Sequence, residues 1–209
     1  MDIKFYYSPG ACSLASHIVL EELKLPHQAI RISTSAGEQR SPEYLKINPR
    51  GRVPTLVYDG KVLVENLAIL AFLGGGWPKA GLWPEKTWDQ ATALSWMAYL
   101  AGTVHPGFAH LLRPERYVDD PAACEAIKAK ARETYGAFLQ ELNGLLAGKT
   151  WAIANMYSVV DAYLVVFYRW GNRNGYAVKD LKSYTALVER VMDRPAVKKT
   201  FEIEGITLG

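Results

Sequence analysis

Cysteine is scarce in this chain of 209 residues: there are two, Cys12 and Cys124, far apart in sequence. That excludes a disulfide framework and a cysteine-based metal cluster, and it suits thiols kept reduced in a cytoplasmic protein. Long hydrophobic runs are missing too. None approaches the roughly 20 residues of a membrane-spanning helix, so no membrane partner is expected. The opening Met1-Asp2-Ile3-Lys4-Phe5 lacks the charged and apolar regions of a signal peptide. Charge of one sign is also sparse. The net charge of +3 is spread thinly and no run of Lys and Arg occurs, so no nucleic-acid partner is expected. Gly74-Gly75-Gly76 closes a helical pattern rather than opening one, which excludes a phosphate loop. No internal repeat or low-complexity segment is present.

What is present is enough apolar sequence for a large core, 49% of residues against 22% charged. Ile3–Tyr7 alternates as a strand, Ser13–Leu23 reads as a helix, and Gln28–Ile32 alternates again. Glu43–Ile47 has room for one or two helical turns. Thr55–Tyr58 and Lys61–Val64 flank Asp59-Gly60, a two-residue hairpin signal. Leu67–Leu73 is an apolar helix that the three glycines are expected to stop. Residues 77–87 hold Pro78, Gly81 and Pro84 and read as a linker. Beyond it only helical periodicity persists. One face carries Ala91, Leu94, Ala98, Ala101 and Gly102. Another carries Ile127, Ala131, Thr134, Phe138, Leu142 and Leu145. Val159–Trp170 is apolar nearly all round and is expected to be a buried central helix. Ser158-Val159-Val160-Asp161 before it is a capping-box variant, so Asp161 reads as a folding residue and not a catalytic acid. Thr185–Met192 and a helix opening at Pro195 complete the chain. The expected division is a small α/β domain over 1–76, the linker 77–87, and an all-helical domain over 88–209.

The stretch Asn48–Asn66 suits the task of holding a short peptide. Pro54 lacks an N–H, and an X–Pro bond can be cis, which leaves the neighbouring backbone free to pair with an incoming chain. Asn66 is expected to cap a helix whose free N–H groups and positive end attract a carboxylate. Glu65 can pair with an ammonium. A ligand with an α-amino-acid head and a peptide tail fits this set.

Cys12 stands where a strand turns into a helix, a position that stabilises a thiolate; it is either a reactive thiol or a small apolar residue near a helix start. Ser13 either donates to a bound thiolate or caps the helix. Tyr6 is a further donor, or a packing residue with a bonded tip. His105 lies beside small residues and before Pro106, which is expected to kink or end the helix. His17, His27 and His110 have no partner pattern, and no metal ligand set is assigned. Cys124 reads as inert.

Five motifs in this order resemble the cytosolic glutathione transferases, the bacterial beta class above all. They are Pro9-Gly10-Ala11-Cys12-Ser13, Asn48-Pro49-Arg50-Gly51-Arg52-Val53-Pro54, Glu65-Asn66, His105-Pro106-Gly107-Phe108 and Ser158-Val159-Val160-Asp161-Ala162-Tyr163. The resemblance covers the whole chain. It implies a thioredoxin-like N-terminal domain, an all-helical C-terminal domain, a homodimer, and glutathione as co-substrate with no other cofactor. It places Val53, ahead of cis Pro54, on the cysteinyl part of glutathione, and Glu65 and Asn66 on the γ-glutamyl head. Cys12, Ser13, His105 and Tyr6 become the catalytic candidates around the sulfur. Gly10, Ala11 and Phe108 would line the site of a small apolar electrophile. The family's basic residue near Ser35 is absent, which leaves Arg52 or Arg40 for the glycyl carboxylate. Ala98, Thr103 and Pro106 stand where the beta class often has Asn, Glu and Lys. These losses keep a second reading open, a non-catalytic carrier with the same fold.

Overall fold

The structure, a computed structural model, describes all 209 residues. Strand β1 (Ile3–Tyr7) buries Ile3, Phe5 and Tyr7 on one face. It leads into α1 (Ser13–Glu22), and β2 (Gln28–Arg31) returns parallel to β1. After a short α2 (Pro42–Leu45), β3 (Thr55–Tyr58) pairs antiparallel with β1, and β4 (Lys61–Val64) pairs antiparallel with β3. The four-stranded sheet has the order β2-β1-β3-β4, the thioredoxin-like arrangement that the resemblance implies. Asp59 and Gly60 both take positive φ, 46° and 78°, as the tight hairpin turn requires.

Helix α3 (Asn66–Gly76) runs through the three glycines instead of stopping at them. The reason is packing: a Cβ on Gly74 would sit 2.9 Å from Val159 Cγ1 and 3.2 Å from Trp83. Close approach of two helices offsets the helical penalty of glycine, about 0.5–1 kcal/mol each.

The helical part comprises α4 (Thr87–Tyr99), α5 (His105–Leu112), α6 (Pro121–Leu145), α7 (Val159–Arg173), α8 (Lys182–Met192) and α9 (Pro195–Glu204). Two expectations fail here. Pro106 does not end the helix: Leu100–Val104 forms a π turn that joins α4 to α5 with helical backbone throughout, so the irregularity sits just before the proline. The face of α4 that meets the core is Ala93, Trp96, Met97, Leu100 and Val104, whereas Ala91, Leu94, Ala98 and Gly102 are exposed. None of the helices is long and apolar enough to cross a membrane.

Helix α7 is the axis of the core, buried from Val159 to Gly171. Its start is a capping box. Ser158 Oγ accepts from Val160 N–H, and Asp161 Oδ2 accepts from Ser158 N–H at 2.8 Å. Asp161 Oδ1 also accepts from Ala152 N–H at 2.9 Å, so a fully buried carboxylate satisfies donors from two segments. Replacing Asp161 with Ala orphans these donors, and each orphan costs about 1–3 kcal/mol. Denaturant unfolding of Asp161→Ala is expected to give a loss of about 3 kcal/mol or more, and a loss below about 1 kcal/mol would contradict this role.

Candidate active site

The turn from β1 into α1 is held from the far end of the chain. Gly10 sits at φ +68° and donates its N–H to Glu204 Oε2 at 2.7 Å. Its carbonyl accepts from Trp170 Nε1 at 2.9 Å and from Arg169 Nη1 at 3.3 Å. A Cβ at Gly10 would run into the Arg169 guanidinium. The other carboxylate oxygen of Glu204 pairs with His17 Nδ1 at 2.8 Å, both side chains wholly buried. His17 therefore has the partner that sequence did not supply. Ser13 closes the same turn: its Oγ accepts from Ser8 N–H at 3.1 Å and donates to the Ser8 carbonyl at 3.2 Å. Ser13 is fully buried and does not line the cleft, so its hydroxyl serves the loop. Tyr6 is elsewhere again, edge-on against Tyr44 with ring centroids 5.6 Å apart.

Cys12 faces a cleft, half-buried, and its thiol donates to the Val53 carbonyl at 3.6 Å. Val53-Pro54 is cis. Burial pushes the Cys12 thiol up to about 12, and the backbone N–H groups of Cys12 and Ser13 and the Arg52 charge only partly oppose it. Desolvation in this cleft thus opposes the thiolate that the helix start favours.

The cleft, about 340 Å³, runs from Cys12 to the start of α3. The residue before α3 is Glu65, at φ +73°, with no side-chain cap. Asn66 is the first helical residue and not the cap that sequence suggested. The first N–H groups of α3 therefore lack a side-chain acceptor, which leaves the helix start open to an anion. Asn66 Oδ1 accepts from Ser16 Oγ at 2.6 Å, while its Nδ2 is buried with no partner and the residue lines the cleft. Glu65 pairs with Arg50 at 2.6 Å, both exposed. The backbone of Glu65, a non-glycine in a sparsely populated region, carries a cost of about 1–3 kcal/mol that places its side chain at this edge. Arg52 lines the cleft, and its carbonyl is fixed by Tyr44 Oη at 2.7 Å and Asn48 Nδ2 at 2.8 Å.

A second chamber of about 330 Å³ shares Cys12, Arg52, Val53 and His105 with the first and extends over Gly10, Ala11 and Phe108 to Trp170. Phe108 is stacked on Trp170, with centroids 4.4 Å apart. Arg113 and Arg116 line it too, and sequence reasoning passed over both. Their only signal is a pair of arginines shortly after the His105 motif. His105 stands at the junction. Burial, and then Arg52, Arg116 and Arg113, hold its imidazole down at about 4, so the ring is neutral at physiological pH.

The arrangement defines a class of protein: a thioredoxin-like domain with a thiol at its first helix start, and a helical domain that walls the cleft beside it. Comparisons agree. The glutathione S-transferase N-terminal domain model matches residues 10–74 and the C-terminal domain model residues 96–195. The chain is 31% identical over 205 residues to glutathione S-transferase GST-4.5 of Xanthomonas campestris pv. campestris, covering 98% of this chain and 100% of that one. It matches the structure of a Sulfitobacter glutathione transferase homologue with bound glutathione at 30% identity, with a TM-score of 0.92 over 98% of this chain and 99% of that one. A beta-class glutathione S-transferase of Sphingomonas chungbukensis matches at 29% identity, with a TM-score of 0.85 over 98% of this chain and 100% of that one. The chain belongs to the glutathione S-transferase family, and its enzyme class is that of a glutathione transferase.

The lowered His105 has a consequence for stability. The unfolded chain takes up a proton near 6.5, while the folded protein resists until about 4. Stability is therefore fully present above 6.5 and is lost as pH falls through that window. Between about pH 7 and about pH 5 the wild type is expected to lose about 2 kcal/mol more than His105→Gln in denaturant titrations. Equal losses would place His105 in contact with solvent.

Proposed function

We propose that the protein conjugates the thiolate of glutathione to small apolar electrophiles. The observation that carries this reading is the meeting, in one cleft, of the Cys12 thiol, the Val53 carbonyl, the uncapped start of α3 and the orphan Nδ2 of Asn66. The α-carboxylate of the γ-glutamyl head lies at the α3 N–H groups and Asn66, and its ammonium lies at Glu65. The cysteinyl backbone pairs with Val53, and Arg52 or Arg40 receives the glycyl carboxylate. This leaves the sulfur at the junction of the two chambers.

There the thiol releases its proton to water in the open cleft, the thiolate attacks the electrophilic carbon to form the C–S bond, and the leaving group departs with the electron pair of the bond that breaks. Arg52 and Arg116 favour the anionic sulfur and the departing charge. Neutral His105 presents a lone pair or an N–H to the same place. Phe108 and Trp170 give the second chamber an apolar floor for the electrophile. Ser13 and Tyr6 act through the loop and the sheet and do not touch the sulfur.

Thiol–disulfide exchange through Cys12 is a second activity of the same site. Its support is that Cys12 opens on both chambers; its weakness is a thiol held protonated by burial. We further propose a cytoplasmic homodimer. Trp88 and Leu94 are 81% and 42% exposed, and with Ala91 and Ala98 they leave an apolar face on α4 open to solvent.

Cys12→Ala separates the reactions. It is expected to abolish disulfide reduction and to leave conjugation within about tenfold of wild type, under about 1.4 kcal/mol of barrier. Equal loss of both would make Cys12 the shared nucleophile. Absence of both from the wild type would turn the reading to a non-catalytic carrier.

A further inference from the structure

A second cluster of chemically capable side chains lies behind the active-site turn, away from the cleft. His17 and Glu21 are one helical turn apart on α1, and His27 returns beside them at the approach to β2. One donor atom from each of the three lies within 4.8 Å of the others. The histidine rings are 6.0 Å apart by centroid, and His27 Nε2 is 3.7 Å from Glu21 Oε1. We propose that His17, Glu21 and His27 bind a zinc ion.

Three independent features support the site. First, His17 Nε2 is completely buried and has no hydrogen-bond partner. A buried polar atom without a partner is rare, and a metal ion is one of the few things that explain it. Second, both rings are already oriented as ligands. His17 Nδ1 bonds to Glu204 Oε1 at 2.8 Å, and His27 Nδ1 bonds to the Leu25 carbonyl at 2.8 Å. With Nδ1–H donated in each case, both Nε2 atoms carry free lone pairs, which is how proteins orient zinc-binding histidines. Third, Glu21 has an oxygen to give. Its Oε2 is paired with Lys199 Nζ at 2.7 Å, while Oε1 faces His27.

Two imidazoles and one carboxylate suit Zn²⁺ rather than Mg²⁺ or Ca²⁺, which prefer oxygen alone. Tetrahedral bonds of roughly 2.0–2.1 Å set the donors about 3.3 Å apart. The donors are therefore spread too widely by up to about an ångström and a half, so binding requires the Glu21 side chain and the His27 segment to close by that much. A groove formed with Lys24, Pro26, Pro195 and Lys199 reaches Glu21 and His27, the two ligands nearest the surface, while His17 lies buried behind them. Glu204 is the link to the active site: one oxygen orients His17 and the other holds Gly10 N–H.

The test is a titration of the full-length, metal-free protein with Co²⁺ as a spectroscopic stand-in, followed by Zn²⁺. The expected result is one Co²⁺ per chain with the visible d–d bands of a low-coordinate ion and no sulfur-to-cobalt charge transfer. An equivalent of Zn²⁺ displaces it. His27→Gln and Glu21→Gln each weaken binding at least about tenfold. Both variants are checked for folding by thermal unfolding in chelator, and either alone suffices if the other is unstable. Zinc is also expected to raise the unfolding temperature of the wild type and not that of His27→Gln. Three results would overturn the proposal: no stoichiometric Co²⁺ in the wild type, a thiolate charge-transfer band that assigns the ion to a cysteine, or folded variants that bind as the wild type does.

Discussion

One residue, Gly10, is gripped at both of its backbone polar groups by residues more than 150 positions away. Its N–H goes to Glu204 on α9, and its carbonyl goes to Trp170 and Arg169 on α7. Only glycine fits, because φ is positive and any side chain would strike Arg169. The grip sets the turn that follows, and the turn sets where Cys12 stands relative to Val53. The helical part is therefore more than a wall beside the sheet. Its capping box at Ser158–Asp161 starts the helix that carries Arg169 and Trp170, so a folding device at one end of α7 reaches the reactive loop at the other.

The electrostatics of the cleft share one theme, the competition between burial and nearby polar groups. At Cys12 burial exceeds the pull of the helix start and Arg52, and the thiol stays protonated. At His105 burial and three arginines act together, and the ring stays neutral. Cys12 and His105 are thus uncharged, whereas Arg50, Arg52 and Arg116 line the cleft. Arg50 is paired with Glu65 in that cleft, which leaves Arg52 and Arg116 as its unpaired basic side chains.

Much of this was legible in the sequence. The β1–α1–β2 unit and the hairpin at Asp59-Gly60 follow from alternation and turn chemistry, and the capping box follows from spacing. Convergence of Cys12, Val53 and Asn66 followed from the resemblance. What was not legible depended on depth and on distant partners. Ser13 and Tyr6 are the right residue types near the right place, yet Oγ of one is consumed by Ser8 and the ring of the other packs on Tyr44. The α4 face was misread because Ala and Gly fit either side of a helix, and Trp96, Met97 and Leu100 decided the matter by bulk. The Gly74 stop was misread because glycine also permits close packing. His17 and Glu204 are 187 positions apart, and no local pattern joins them.

The central claim is that the Cys12–Val53–α3 cleft is a site for glutathione, and calorimetric titration of glutathione into the wild type and Glu65→Ala tests it most directly. Glu65 is exposed, so its loss leaves the core untouched. The account predicts a dissociation constant in the micromolar to low millimolar range, about −8 to −4 kcal/mol, weakened at least about tenfold in Glu65→Ala. No heat of binding up to about 10 mM, or equal affinity in the two proteins, would contradict it.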